Sequence, residues 1–129
     1  MHYIMLSGIS QQVLTDLERN KIKTIELRSP HNFLSALETQ LEDVIFLTSI
    51  SREDVRPGTI GLLAGIREKQ ISMHRVLQKT EEHYEEAEIQ LARLQLEIKG
   101  HARVRRVECC ALGEATTVDA DKVQFFEGR

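Results

Sequence analysis

Apolar and polar residues alternate along the first part of the chain in short blocks, which predict small strands and helices in turn. Residues 3–6 form an apolar run that predicts a strand. Ser10 is a suitable helix N-cap, and apolar residues follow it at helical spacing until about Asn20. The chain therefore begins with a strand and a short amphipathic helix.

The next blocks predict a second strand and a second helix. Residues 22–28 have the pattern of a strand, and Pro30 ends it. We expect Asn32 to cap the helix that follows, which carries the apolar residues Phe33, Leu34, Leu37 and Leu41. Residues 43–48 then form a continuous apolar run, typical of a buried strand. Residues 51–55 predict one helical turn before the turn at Pro57-Gly58.

The middle of the chain supports two interpretations. Residues 59–66 contain glycines at a density that disfavours a helix and suits a strand near a bulge. From Met73 to Ile98, apolar positions recur at alternating spacings of four and three, which predicts a long helix or a coiled-coil arm. Residues 94–98, however, alternate strictly, as in a half-buried strand. We therefore predict a helix over residues 81–90, followed by two strands around Gly100.

The C-terminal part predicts further short strands. These are residues 109–112, then a turn at Gly113 and Glu114, and then residues 116–118 and 123–126. Many short strands with few helices indicate an α+β fold, and the frequent turns suit a small β-barrel with two or three short flanking helices. We expect residues 1–129 to form a single domain.

Composition narrows the classes of function. The 129 residues are 41% hydrophobic and 29% charged, with a formal net charge of −3 and a pI near 6.0. Such a chain is folded and is not basic enough for bulk electrostatic binding to nucleic acid. No apolar run is long enough to span a bilayer, and the N-terminus has no leader pattern, so we expect a cytoplasmic protein without a membrane partner.

The cysteines and histidines give no metal-binding pattern. Cys109 and Cys110 are adjacent, which is a strained arrangement for a disulfide, and the five histidines lack ligand spacing. We therefore expect neither a metal nor a cofactor.

The candidate chemistry lies on the second predicted strand. Thr24, Glu26 and Arg28 share one face, and Lys23 faces the other way unless the strand begins or bulges there. A carboxylate and a guanidinium two residues apart can cradle a polar ligand or simply pair with each other. His74 and Arg75 are further candidates if a neighbouring strand brings them to the same cleft.

The order of these motifs resembles the ASCH domain of the PUA-like superfamily. The resemblance rests on Lys23, Glu26 and Arg28 after a short helix, then on an acidic residue that opens an apolar strand (residues 43–47), and on a glycine-containing strand (residues 61–64). The whole chain, including residues 71–75, also resembles a small archaeal family of unknown function. These likenesses imply a PUA-like, ASCH-type barrel with a cleft beside the Lys23-Glu26-Arg28 strand.

The resemblance implies that this cleft binds RNA or a nucleotide. Lys23, Glu26 and Arg28 are the candidate ligand-binding residues on the signature strand, and His74 and Arg75 are candidates if a neighbouring strand brings them to it. Some small ASCH proteins are instead amidohydrolases that remove an acyl group from cytidine by means of a Lys, a Thr and a Glu. The Lys position falls on Lys23, but the nucleophilic Thr position falls on Glu26. A carboxylate is a poor replacement for an alkoxide, so this departure argues against the hydrolase.

A third hypothesis concerns assembly. If residues 73–98 form a long arm, that arm could pair with a second copy and make the protein an oligomeric interaction module, with a homodimer as its simplest form.

Overall fold

The structure, a computed structural model, describes residues 1–79, 84–108 and 115–123, with the backbone alone for residues 74–79 and 84–89. Strands and helices follow one another as the sequence pattern predicts in the first half. In chain order they are β1 (His2–Leu6), α1 (Gln11–Asn20), β2 (Ile22–Leu27), α2 (Pro30–Glu38), β3 (Val44–Leu47), β4 (Ile60–Lys79), β5 (Tyr84–Glu108) and β6 (Thr117–Val123). A short 3₁₀ turn, Arg52–Asp54, precedes β4.

The strand pairings close into a ring. β5 pairs with β4 along one edge, and its other edge is shared by β2, over residues 92–97, and β6, over residues 101–108. β1 pairs with β6 and, in parallel, with β3, which in turn pairs with β4. The circuit β5–β4–β3–β1–β6 is therefore closed, with β2 attached outside it. This arrangement of strands and two helices confirms the predicted α+β class.

Two apolar clusters hold these layers together. One contains residues of both helices and of the sheet beneath them, with Leu17, Phe33, Ile25 and Leu94 all buried. The other takes residues from all five ring strands, so it fills the interior of the ring: Tyr3, Met5, Phe46, Leu63, Ala102, Val104, Val118 and Ala120. Burial of this apolar surface is the main stabilising contribution to the fold.

Ser10 and Ser29 cap the two helices. The Ser10 hydroxyl accepts a hydrogen bond from the Gln12 N–H at 3.2 Å, which confirms the predicted cap of α1. In α2 the cap is Ser29, whose hydroxyl accepts from the Asn32 N–H at 3.3 Å, so the prediction that Asn32 caps this helix was wrong. Proline is favoured at the first helical position, and Pro30 therefore places the cap one residue before it.

The predicted helix over residues 81–90 was wrong for its described residues, 84–90, which are strand, and residues 81–83 lie outside the described residues. The alternative of a long helix from Met73 was wrong over residues 73–79 and 84–98, which are strand as well. β4 and β5 form one long antiparallel hairpin that is paired from Ile60–Arg103 to Lys79–Tyr84. Register shifts beside Leu63 and Ile66 confirm the predicted strand with a nearby bulge. The pattern around Gly100 belongs to one continuous strand, not two.

Residues 117–123 form the single strand β6. The prediction of two separate strands, one ending at residue 118 and the next beginning at residue 123, was therefore wrong. The strand and turn predicted over residues 109–114, and the end of the last predicted strand beyond residue 123, lie outside the described residues. In the part of the chain that the structure describes, no helix has the length and apolar character needed to cross a membrane.

Candidate functional site

A cavity of about 490 Å³ opens at the C-terminal end of β2, where both α-helices begin. We call it the cleft. Its walls come from the turn after β1, the start of α1, the end of β2, the start of α2 and the 3₁₀ turn. They are lined by Ser7, Gly8, Ile9, Ser10, Val13, Ile25, Glu26, Leu27, Arg28, Ser29, His31, Asn32, Ser51, Arg52 and Glu53.

The N-termini of α1 and α2 converge on this cleft, because both N-cap residues, Ser10 and Ser29, line it. Pro30 has no N–H, and the Ser10 and Ser29 hydroxyls already accept from the Gln12 and Asn32 amides. The helix dipole is therefore the main source of positive potential at these two ends. Two such ends at one cavity create a potential that attracts an anionic group.

Asn32 holds the two sides of the cleft together. Its side-chain amide donates to the Ser7 carbonyl at 2.8 Å and accepts from the Ser7 N–H at 3.2 Å. Both residues are buried. The end of β1 is thereby fixed to the first turn of α2.

Arg28 and Arg52 supply positive side chains at the cleft. Arg28 Nη2 lies 3.3 Å from Glu26 Oε1, and Arg52 Nη2 lies 3.5 Å from Glu53 Oε1. These four side chains are exposed, and exposed ion pairs of this kind contribute little to stability. Either guanidinium can therefore turn to a ligand phosphate at little energetic cost, and arginine is well suited to bind phosphate in a bidentate manner.

His31 adds a titratable group to the same wall. Burial lowers the pKa of its imidazole, the nearby Arg52 charge lowers it further, and Glu53 opposes the change. His31 Nε2 also lies 3.3 Å from the Thr116 hydroxyl. The imidazole is consequently neutral near pH 7.

Glu26 is held by two arginines. Its carboxylate lies 2.7 Å from Arg93 Nη2 on β5, in addition to the Arg28 contact. Hydrogen bonds from Arg93 and then from Arg28 lower the pKa of Glu26. The carboxylate is therefore ionised and is a weak base, poorly suited to activating water.

The structure brings together some of the predicted site residues and separates others. Glu26 and Arg28 both line the cleft, and they also pair with each other. Lys23 lies at the opposite end of β2, with Nζ 3.5 Å from Asp16 of α1. For His74 and Arg75 the backbone lies in β4, and their side chains are outside the described residues.

Sequence reasoning missed His31, Arg52 and Arg93. The Ser-Pro pair before α2 signals a helix N-terminus at residues 29–30, and it could have drawn attention to His31. Arg93 is the register partner of Glu26, a relationship that only the strand pairing reveals. No three His, Cys, Asp or Glu side chains gather to form a metal site in the described ranges.

Comparisons with known proteins give two matches. The family model described as "Protein of unknown function (DUF473)" matches residues 1–118. The chain is also 34% identical over 103 residues to "Uncharacterized protein MJ0105" of Methanocaldococcus jannaschii. That alignment covers 80% of this chain and 64% of the relative, so the chain spans less than two thirds of the relative's length. Both matches confirm the resemblance to an archaeal family of unknown function.

Proposed function

The chain belongs to the DUF473 family, and we propose that it binds RNA or a nucleotide in the cleft, through a phosphate group. The observation that carries this proposal is the convergence of two helix N-termini and two arginines on one cavity of about 490 Å³. Phosphate oxygens accept hydrogen bonds from backbone amides and guanidinium groups alike. Arg28 and Arg52 would flank the phosphate, and the positive ends of the α1 and α2 dipoles would face it.

The remaining lining of the cleft suits the nonionic part of such a ligand. Ile9, Val13, Ile25 and Leu27 provide apolar surface beside the charged groups. Ligand sites generally combine an apolar wall with a few fixed polar groups, and the cleft has both. Glu26 and Glu53 limit the net positive charge, so the cleft suits contact with a single phosphate group of a nucleotide or of an RNA.

The ring of strands is consistent with a PUA-like fold of the ASCH type, which we propose for this chain. Support comes from the order of elements: α1, then β2 with Lys23, Glu26 and Arg28, then the apolar β3 and the glycine-containing start of β4. In this proposal the cleft at the end of β2 corresponds to the ligand cleft of ASCH domains, and it takes the same class of ligand.

The geometry favours binding over hydrolysis of an acylated nucleoside. Such a hydrolase needs an activated group next to the lysine, whereas Lys23 and Glu26 lie on opposite faces of β2. Glu26 is also ionised and paired with two arginines. Neither residue is therefore placed to assist attack on an amide carbonyl.

Thermal-shift measurements with matched ligands test the proposal. We expect nucleoside 5′-phosphates or short RNAs to raise the melting temperature, since a ligand that binds only the folded state stabilises it. Nucleosides without phosphate, including acylated cytidines, should give a much smaller shift. Equal shifts with and without phosphate, or no shift from any phosphate-bearing compound, would refute phosphate recognition in the cleft.

A further inference from the structure

An exposed apolar patch lies beside the far half of the β4–β5 hairpin. Leu37 and Leu41, at and beyond the C-terminal end of α2, are 45% and 56% exposed, and Met73 on β4 is 57% exposed. Lys69 connects the two elements, because its Nζ donates to the carbonyls of Leu37, at 3.2 Å, and Thr39, at 2.6 Å. Leu41 and the partly buried Ile71 are the apolar residues that line a hollow of about 740 Å³, whose other lining residues, Lys69 among them, are polar or charged. We call Leu37, Leu41, Ile71 and Met73 the root patch.

The hairpin continues past this patch as a two-stranded arm. Among the described pairings, β3 leaves β4 at Gly65 and β2 leaves β5 at Ala92. From Ser72–Leu91 to Lys79–Tyr84, β4 and β5 pair only with each other. An isolated two-stranded ribbon is at best marginally stable in water, so this arm gains stability from a surface that covers it.

We propose that the arm of one copy lies across the root patch of a second copy, so that two chains exchange arms in a symmetric dimer. The arm and the patch belong to the same chain, and a twofold axis lets each copy cover the other and closes the assembly at two. Met73 lies at the junction of arm and patch, which makes the two surfaces continuous. The exposed leucines of the root patch supply the apolar centre that a specific interface requires.

The size of the arm is consistent with a second copy of the chain as its partner. Eight residues of strand extend about 25 Å, and two strands are about 10 Å wide, so each arm face measures about 250 Å². Two exchanged arms, each covering an equal area of the partner, bury about 1,000 Å², which is the size of a weak, concentration-dependent interface. A single arm on another protein would bury about half of that area.

Sedimentation velocity over a wide range of protein concentration tests the proposal. We expect the mass to rise with concentration from that of one 14.8 kDa chain to twice that value. Leu41→Glu and Met73→Glu should each weaken the dimer at least tenfold, because they place a charge at the apolar centre of the interface. Ile60→Glu is the matched control: Ile60 is 49% exposed at the other end of β4 and should leave the dimer unchanged.

Hydrogen exchange at low and high concentration locates the contact. In the wild type we expect concentration-dependent protection at residues 72–79 and 84–91 and around Leu41. Leu41→Glu and Met73→Glu should lose this protection while they keep the wild-type melting temperature. A protein that stays monomeric at all concentrations, or a dimer that Ile60→Glu weakens as much as Leu41→Glu, would overturn the proposal. Protection confined to surfaces away from the arm would overturn it as well.

Discussion

Asn32 satisfies both backbone polar groups of Ser7, as donor to the carbonyl at 2.8 Å and as acceptor from the N–H at 3.2 Å. Because both residues are buried, no water can readily replace this side chain. One amide thus joins the end of β1 to the first turn of α2 and shapes the cleft.

Asn32→Ala should therefore destabilise the protein by about 2 to 3 kcal/mol, since it leaves a buried donor and a buried acceptor without partners. Urea unfolding measures the change in the free energy of unfolding. Asn20→Ala is the control, because Asn20 is exposed at the end of α1, and it should change this free energy by less than about 0.5 kcal/mol. Equal effects of the two substitutions would contradict the assigned role of Asn32.

The pairing of Glu26 with Arg93 and Arg28 predicts a loss of stability in acid. The folded-state pKa of Glu26 lies below its ordinary value. Its stabilising contribution is therefore complete above the ordinary range near pH 4.3 and is lost as pH falls through the lower folded-state pKa. Glu26→Gln should unfold with a shallower dependence on pH between about pH 5 and pH 2 than the wild type.

The same account predicts the effect of each arginine on Glu26. Arg93→Ala should raise the pKa of Glu26 more than Arg28→Ala, because the Arg93 hydrogen bond is the larger cause of the lowered value. Carbon NMR of the Glu26 carboxyl group measures this pKa directly. A larger effect from Arg28→Ala would show that Arg93 does not hold the carboxylate.

The pKa of His31 should respond to the charged side chains around the cleft. Burial first, and then the Arg52 charge, lower its pKa, so Arg52→Ala should raise this pKa and Glu53→Gln should lower it. The neutral form stabilises the folded protein above the ordinary value near pH 6.5, and this contribution declines as pH falls below it. Proton NMR of the imidazole follows the titration.

A phosphate bound beside His31 would favour the protonated imidazole. Affinity for a nucleotide should therefore rise as pH falls from about 8 to about 5.5, and His31→Gln should remove most of this dependence. Calorimetric titrations at several pH values measure it. An affinity that does not change with pH in the wild type would place the ligand away from His31.

Two glycines of β4 give a matched test of the packing within the ring. A Cβ at Gly61 would lie 2.3 Å from the Leu47 carbonyl oxygen and 2.6 Å from the Phe46 ring. At Gly65 it would meet only the far end of the Lys99 side chain, at 2.9 Å, which can move aside. We expect Gly61→Ala to cost about 3 kcal/mol of unfolding free energy and Gly65→Ala less than about 1 kcal/mol. Similar losses at both positions would contradict the modest cost expected at Gly65.

The local sequence pattern was sufficient to predict elements whose conformation depends mainly on their own residues. The N-cap and apolar spacing of α1, and the continuous apolar run of β3, are visible in the sequence. The far half of the hairpin was predicted incorrectly because residues 85–88, Glu-Glu-Ala-Glu, include residues that favour helices. Their strand conformation depends on partners in residues 75–78, and this nonlocal pairing leaves little trace in a local window.

In the candidate site too, sequence predicted the relationships between neighbouring residues but not the contacts between distant segments. Glu26 and Arg28 are two residues apart on one strand, and the sequence alone predicts that they share a face. Arg52 joins them only because the 3₁₀ turn folds against the starts of α1 and α2, far apart in the chain. The regular alternation of β2 places Lys23 on the opposite face from Glu26 and Arg28, and the sequence pattern already indicated this.

The most direct test of the account is the affinity of a nucleoside 5′-phosphate or short RNA for wild type, Arg52→Ala and Arg67→Ala. Arg52 and Arg67 are matched, with side chains 48% and 50% exposed and each within 3.5 Å of a glutamate, but only Arg52 lines the cleft. The account predicts a loss of about tenfold or more for Arg52→Ala, as expected when a charged hydrogen bond is removed, and unchanged affinity for Arg67→Ala. Equal affinities for all three proteins would contradict phosphate binding in the cleft.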